Sequence, residues 1–130
     1  MKEVEANGVA AGDNLFVGGG EYVGQHGVAM LNADLGKCYY SNAGQTATLT
    51  SCQYLVNQPG KFAWILSKDG VMKKGAVTYF GLQIGRVKHL NGVMRIGRIS
   101  TADKLIYYVY GNREFDASVY EILVYLPHSF

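Results

Sequence analysis

The sequence predicts an all-β fold on three observations. Seventeen glycines and ten tyrosines occur in 130 residues, with only two prolines. Short stretches rich in β-branched and aromatic residues recur between glycine-containing turns, which is the pattern of strands joined by turns. No window shows a helical period of hydrophobic residues, so we expect short antiparallel strands throughout.

The clearest strand predictions come from five stretches. The apolar runs at 105–110 and 122–126 are typical of strands buried on both faces, because a helix would need greater length and fewer β-branched or aromatic residues. The predicted strands are 14–17 (NLFV), 47–56 (ATLTSCQYLV), 62–66 (FAWIL), 105–110 (LIYYVY) and 119–126 (VYEILVYL).

The glycine-rich run at 17–27 follows no phosphate-binding pattern, and we interpret it as a flexible turn.

Two sets of matches indicate an internal duplication. At an offset of 61 residues the aligned segments are Val23-Gly24-Gln25 with Ile84-Gly85-Arg86, and Leu35-Gly36-Lys37 with Ile96-Gly97-Arg98. After a predicted seven-residue insertion at 100–106 the offset becomes 68, and the aligned segments are Tyr39-Tyr40 with Tyr107-Tyr108, and Tyr54-Leu55-Val56 with Ile122-Leu123-Val124.

The duplication predicts a single domain over residues 1–130, with repeat 1 at about 1–58 and repeat 2 at about 62–130. Each copy is too short to bury much core alone. The copies therefore either pack face to face or exchange strands around a pseudo-twofold axis, which makes one compact globule.

The charge distribution is asymmetric although the net charge is only +2. Residues 1–60 carry two lysines against five acids, and residues 61–130 carry ten Lys and Arg against five acids. The cations of the second half are scattered along the chain, which argues against a nucleic-acid partner. No apolar run approaches the roughly 18 residues of a membrane span, and the first residues are acidic where a secretory signal would be apolar. We expect a cytoplasmic protein, or one secreted without a signal peptide.

The chain has two cysteines, Cys38 and Cys52, too few for a disulfide scaffold and without the spacing of a zinc knuckle. Buried reduced thiols are therefore the default expectation. A hairpin between 37–42 and 47–54 would nevertheless bring the two side chains face to face. The sequence leaves their redox state open.

The three histidines give no sign of catalysis. His26, His89 and His128 lack the spacing of metal ligands, and no second group stands close in sequence to form an activated nucleophile. We expect no enzyme, no metal and no cofactor.

The second copy carries an ordered series of short motifs, which are Trp64, Gly70-Val71, Gly75-Ala76-Val77, Ile84-Gly85-Arg86-Val87, Gly97-Arg98-Ile99, 107–111, Glu114 and 120–124. This order resembles the DM-nine repeat, which occurs in tandem in mannose-binding invertebrate lectins and at the front of natterin-like proteins. The first copy matches through 9–13, 22–25, Gly36-Lys37-Cys38 and Tyr54-Leu55-Val56. The resemblance implies two interlocked β repeats, often a homodimer, with mannose or mannose-containing glycans as partners.

The resemblance also implies a sugar site made by an acid from a turn and the lysine of a Gly-Lys step. In this sequence those residues are Asp13 and Lys37. An ionised carboxylate accepts hydrogen bonds from sugar hydroxyls while an ammonium donates to them. Further sugar contacts are assigned to Asp34, His26, Tyr39 and Arg98, where Arg98 substitutes for lysine in the second copy.

Plainer interpretations stand beside these assignments. Asp13 suits a turn, Lys37 suits a surface ion pair with Asp34 or Asp13, and Tyr39 suits a core. Trp64 is either a core anchor or an exposed platform for a sugar ring. We expect a mannose-binding lectin acting in glycan surveillance or innate immunity; the alternative is a non-catalytic protein-interaction module of the same fold.

Overall fold

The computed structural model describes residues 2–42, 44–49, 51–71 and 73–126, so His128 lies outside the described part of the chain. These residues form antiparallel strands almost throughout, which confirms the predicted all-β class. The elements are α1 (Lys2–Asn7), β1 (Ala10–Gly12), β2 (Leu15–Tyr22), β3 (Gln25–Asn32), β4 (Lys37–Asn42), β5 (Gln45–Leu49), β6 (Gln53–Tyr54), β7 (Phe62–Lys68), β8 (Thr78–Tyr79), β9 (Leu82–Lys88), β10 (Met94–Ser100), β11 (Leu105–Tyr110), β12 (Arg113–Ala117) and β13 (Val119–Tyr125).

The short helix α1 was not predicted. Val4 is its buried residue and packs against Phe16 and Leu31 on the outer face of the first sheet. Glu3 and Glu5 lie in the first turn, where acidic side chains stabilise the positive end of a helix. One buried apolar residue in six gives no hydrophobic period, and this is why the sequence pattern missed the helix.

Each half of the chain forms its own antiparallel sheet. The strand order is β1-β2-β3-β4-β5 in the first sheet, with β6 beside β2, and β12-β11-β10-β9-β13-β7 in the second, with β8 beside β9. The described strands do not cross between halves, so the copies pack face to face. Equivalent strands contact each other, β3 with β10, β4 with β11 and β5 with β12, which is the pattern of a pseudo-twofold relation.

The strand registers confirm the offset of 68 residues between the two halves. Tyr40 pairs with Ala29 and Ala47, and Tyr108 pairs with Gly97 and Phe115 at the corresponding positions. The hydrogen bond from Val9 N to Leu55 O is repeated by the bond from Val77 N to Leu123 O. β1 to β6 therefore correspond to β8 to β13.

The alignment at an offset of 61 is wrong. Val23-Gly24 and Leu35-Gly36 lie in turns, whereas Ile84-Gly85 and Ile96-Gly97 lie inside β9 and β10. The predicted seven-residue insertion at 100–106 is also wrong, because that segment corresponds to 32–38 in the first half.

The glycine-rich run is not a flexible turn. Gly18, Gly19 and Gly20 all lie inside β2, and the turn is limited to Val23 and Gly24. A Cβ atom on Gly19 would collide with the ring of Tyr79 from the second half. Gly19 therefore permits close packing between the sheets, while Gly18 and Gly20 permit close packing against Leu31 and Leu49 of their own half.

The main core lies between the two sheets and is shared by both halves. Its buried residues are Val9, Ala11, Leu15, Val17, Val28, Met30, Ile84, Ile96 and Leu123. Leu123 faces this core, while Ile122 and Val124 belong to a second cluster, so 122–124 is buried on both faces. The predicted run of 122–126 is too long, because Tyr125 is exposed. Trp64 is half-buried against the shared core, and its Nε1 donates to the carbonyl of Ala10 at 3.0 Å. Trp64 therefore anchors the core.

Cys38 and Cys52 form a disulfide, so the default expectation of reduced thiols is wrong. A hairpin does begin at 37–42, but its second strand is β5 (Gln45–Leu49) instead of the predicted 47–54, and Leu49, not Cys52, pairs with Cys38. Cys52 follows β5 in the chain, and its Cα lies 6.7 Å from the Cα of Cys38 in β4. The disulfide ties the segment leading to β6 onto the outer face of the first sheet.

Candidate functional site

Two turns lie at the same end of the first sheet and carry Asp13 and Asp34 of the predicted site. Asn14 follows Asp13 in the turn between β1 and β2, and its Nδ2 donates to Asp34 Oδ1 at 2.8 Å. The amide of Ala33 donates to the carbonyl of Asn14 at 2.8 Å. Lys37 begins β4 at the same end of the sheet. We call Asp13, Asn14, Asp34 and Lys37 the turn cluster.

The charged groups of the turn cluster are open to solvent. Asp13, Asp34 and Lys37 are all exposed. Across the described ranges, no ion pair within 4.0 Å joins Lys37 to Asp34 or to Asp13, so the ion-pair interpretation of Lys37 is wrong. The Asp13 carboxylate and the Lys37 ammonium therefore face water at the end of the sheet.

A groove opens between the two sheets beside the turn cluster. We call it the first groove; its volume is about 320 Å³, and it is lined by Met30, Asn32, Leu35, Tyr39, Arg95, Val109, Tyr110 and Gly111. Asn32 pairs directly with Lys37 in the register of β3 and β4, and this connects the groove to the turn cluster. Both halves contribute to its wall.

Arg95 supplies the positive charge inside the first groove. Its guanidinium lies 5.0 Å from the centroid of the Tyr110 ring, and its Nη1 donates to the carbonyl of Met94 at 2.8 Å. Burial lowers the pKa of the Arg95 guanidinium, and the phenols of Tyr110 and Tyr39 partly oppose that shift. An arginine keeps its charge at neutral pH, so the groove combines a cation with two phenols and an amide.

Of the other predicted sugar contacts, Tyr39 lines the first groove, whereas His26 and Arg98 lie elsewhere in the molecule. Tyr39 is half-buried, packs against the shared core and also lines the first groove. His26 lies at the opposite end of β3 from Asn32, six residues away and therefore about 20 Å distant. His26 cannot contact a ligand held in the first groove.

Arg98 belongs to a polar cluster between the sheets. Its Nη2 lies 3.6 Å from Glu114 Oε2, and the side chains of both residues are only 12% exposed. The Ser41 hydroxyl donates to the same carboxylate, and the guanidinium lies 4.4 Å from the centroid of the Tyr107 ring. We call these four residues the central polar cluster.

The register also corrects the role assigned to Arg98. Asn32 pairs with Lys37 in the first half, and Ser100 pairs with Leu105 in the second. Leu105 is thus the counterpart of Lys37, and Arg98 is the counterpart of Met30. Arg98 does not substitute for Lys37, and the second half has no cation at the matching position.

The family model of the DM9 repeat matches residues 10–116. The chain belongs to the DM9 repeat family. This match confirms the resemblance drawn from the order of short motifs. A search of curated protein sequences finds no match to the chain.

Sequence reasoning missed three groove residues of this DM9 chain. Asn32, Arg95 and Tyr110 come from β3, β10 and β11, and they meet only because the two sheets pack face to face. A correct alignment of the two halves was the one signal that could have placed them.

The described part of the DM9 chain shows neither a metal-binding cluster nor a membrane-spanning helix. Among the described residues, no group of three His, Cys, Asp or Glu side chains is arranged to hold a metal ion. The described residues also contain no helix long and apolar enough to cross a membrane.

Proposed function

We propose that this DM9 protein is a non-catalytic lectin that binds mannose-type sugars in the first groove, with the turn cluster at its rim. The observation that carries the proposal is the convergence of Asn32, Tyr39, Arg95 and Tyr110 beside the exposed Lys37. A hexose presents adjacent hydroxyls that both donate and accept. Phenol, amide, guanidinium, ammonium and carboxylate groups match those hydroxyls.

The expected affinity for a single sugar is modest. Charge-assisted hydrogen bonds are the stronger kind, but each replaces bonds to water. A dissociation constant of about 1 mM, or ~4 kcal/mol, is reasonable for a monosaccharide in an open groove. Recognition of a microbial glycan surface in innate immunity would then depend on several sites acting together, as in a homodimer.

Isothermal calorimetry of the full chain with methyl α-mannoside, together with retention on mannan, tests the proposal. Lys37→Ala and Asp13→Ala each weaken binding about tenfold, because each removes one charge-assisted bond of roughly 1.5 kcal/mol. Lys68→Ala and Asp116→Ala change exposed charges elsewhere and leave binding unchanged. A wild-type chain that binds neither ligand contradicts the lectin function itself.

The edge of the second sheet supports a second candidate, a protein-interaction module. Among the described strands, β7 pairs only with β13, so its other edge has no partner strand in that part of the chain. Leu66 on β7 and Val119 on β13 lie near the same end of the β7–β13 pair, and they are 69% and 54% exposed. If the chain binds neither sugar ligand but sediments as a dimer, and Leu66→Lys disrupts that dimer, the protein-interaction function replaces the lectin function.

A further inference from the structure

Three aromatic side chains form a cluster at the end of the molecule away from the first groove. Phe80 stacks on His26 with ring centroids 3.7 Å apart and planes 1° apart. Tyr79 stands nearly perpendicular to both, with centroids 4.8 Å from Phe80 and 6.1 Å from His26. We call His26, Tyr79 and Phe80 the aromatic platform.

Phe80 occupies an unfavourable position by two criteria. Its φ angle is +50°, a left-handed conformation that L residues with large side chains seldom adopt. Its side chain is also 65% exposed. Strained, exposed residues of this kind tend to occur at functional sites. The ring of Phe80 has one face covered by His26, and the other face is open to solvent.

Other aromatic rings of the protein already hold an internal cation. Arginine guanidinium groups lie over Trp64, Tyr107, Tyr110 and Phe115 at 4.4 to 5.2 Å from the ring centroids. Within the described ranges no such contact exists at Phe80. Its open π face therefore remains available to a cation from outside.

A carboxylate adds negative charge at the platform. Glu21 Oε2 lies 3.5 Å from His26 Nε2, and its side chain is 57% exposed. Burial, and then the charge of Glu21, raise the pKa of the Tyr79 phenol. Among the described residues, the ion pairs within 4.0 Å give Glu21 no Lys or Arg partner. The platform thus joins π faces to a carboxylate that has no lysine or arginine partner among the described residues.

The polar groups of the aromatic platform and Glu21 offer hydrogen-bond acceptors but few free hydrogen-bond donors. The Tyr79 hydroxyl donates to Gln53 Oε1 at 3.3 Å. His26 Nδ1 is buried without a partner, so a neutral imidazole is best satisfied with its proton on Nε2, directed toward Glu21. Sugar hydroxyls would find acceptors at the platform but not the donors that they also need.

We propose that the aromatic platform binds an organic ammonium group, quaternary or methylated, over the open face of Phe80 with its charge toward Glu21. A methylated ammonium carries positive charge on an apolar surface and requires no hydrogen-bond donor from the protein. Aromatic rings beside an acid recognise such cations through the ring quadrupole. This site is independent of the lectin proposal, since His26 lies four residues, or about 14 Å, along β3 from Met30, the nearest β3 residue of the first groove.

Nuclear magnetic resonance titration of the full chain with choline chloride tests the site. Sodium chloride controls for ionic strength, and 3,3-dimethyl-1-butanol is a neutral molecule of the same shape. We expect choline to shift the His26 and Phe80 ring resonances saturably in the millimolar range, and the alcohol to bind at least about fivefold more weakly. Phe80→Leu keeps apolar area but removes the ring, and it weakens choline binding by a similar factor.

A second pair of variants examines the charge. Glu21→Gln weakens choline binding about threefold, whereas Glu5→Gln, an exposed acid on α1, leaves it unchanged. Circular dichroism confirms that each variant is folded. The proposal is overturned if choline causes no saturable shift, if the alcohol binds equally well, if Phe80→Leu or Glu21→Gln retains full affinity, or if methyl α-mannoside shifts the same resonances in place of choline.

Discussion

Left-handed backbone conformations occur at several residues other than glycine in this protein. Val23 has φ +51° in the turn between β2 and β3, and Lys104 has φ +62° in the turn between β10 and β11. The counterpart of Lys104 in the first half is Gly36, at φ +65°. The same turn is therefore made with glycine in one half and with a strained lysine in the other.

Val23 is the most unfavourable of these residues, because a β-branched side chain crowds the left-handed backbone. Its side chain is 76% exposed, so little packing offsets the strain. Val23→Asn creates an Asn-Gly turn, which two-residue hairpins prefer, and should raise the free energy of unfolding by about 1 kcal/mol. Urea denaturation measures the change. Val71→Asn, at another exposed valine whose φ is not positive, should give no gain.

At the scale of elements, the sequence predicted strands well and their equivalence less well. The strand class follows from local composition, which is why β7, β11 and β13 coincide closely with their predicted stretches. The alignment of the two halves at an offset of 61 was wrong because glycine occurs both in turns and at positions of close packing. Gly24 has φ +76° and open space around it, whereas a Cβ on Gly85 would lie 2.8 Å from Ile99 Cδ1. One glycine allows a turn and the other allows close packing, and the sequence shows the same letter for both.

The candidate site was predicted only in part, because the two halves were aligned wrongly. Asp13, Asp34 and Lys37 lie at one end of the first sheet because the β1–β2 and β3–β4 turns are at the same end, which is a relation within one sheet. Arg95 joins the groove across the interface between the halves, and that contact depends on the register of both sheets. A wrong alignment therefore placed Arg98 where Leu105 belongs.

The central polar cluster tests the equivalence of Arg98 with Met30 and of Glu114 with Thr46. Glu114→Ala leaves the Arg98 guanidinium, 12% exposed, without its carboxylate and should lower the free energy of unfolding by about 3 kcal/mol. The double variant Arg98→Met with Glu114→Thr installs the residues found at the matching positions Met30 and Thr46. It removes both charges together, so its loss should be smaller, about 1 kcal/mol. Urea unfolding of Arg98→Met, Glu114→Thr and the double variant that combines them completes the cycle; strictly additive losses would contradict the coupling.

At the scale of the whole molecule, the two halves depend on each other. The shared core takes its buried side chains from both sheets. Two side chains of the second half also reach the backbone of β1, where Trp64 Nε1 donates to the Ala10 carbonyl at 3.0 Å and Arg86 Nη1 donates to the Ala11 carbonyl at 2.9 Å. Neither sheet can lose its partner without exposing this core, so the halves should unfold as one unit.

Leu123 tests this cooperativity because it is fully buried in the shared core but belongs to the second half. Leu123→Ala should lower the free energy of unfolding by about 3 kcal/mol, through lost burial and the cavity left behind. Native-state hydrogen exchange measures how much Leu123→Ala reduces the free energy of protection of the most protected amides. That reduction should be the same in β3 as in β10, although β3 lies in the other half. Leu90→Ala removes a side chain that is 98% exposed and should leave both sets unchanged. A loss confined to β10 would mean that each sheet is stable without the other, and the groove between them would then have no fixed shape in which to hold a ligand.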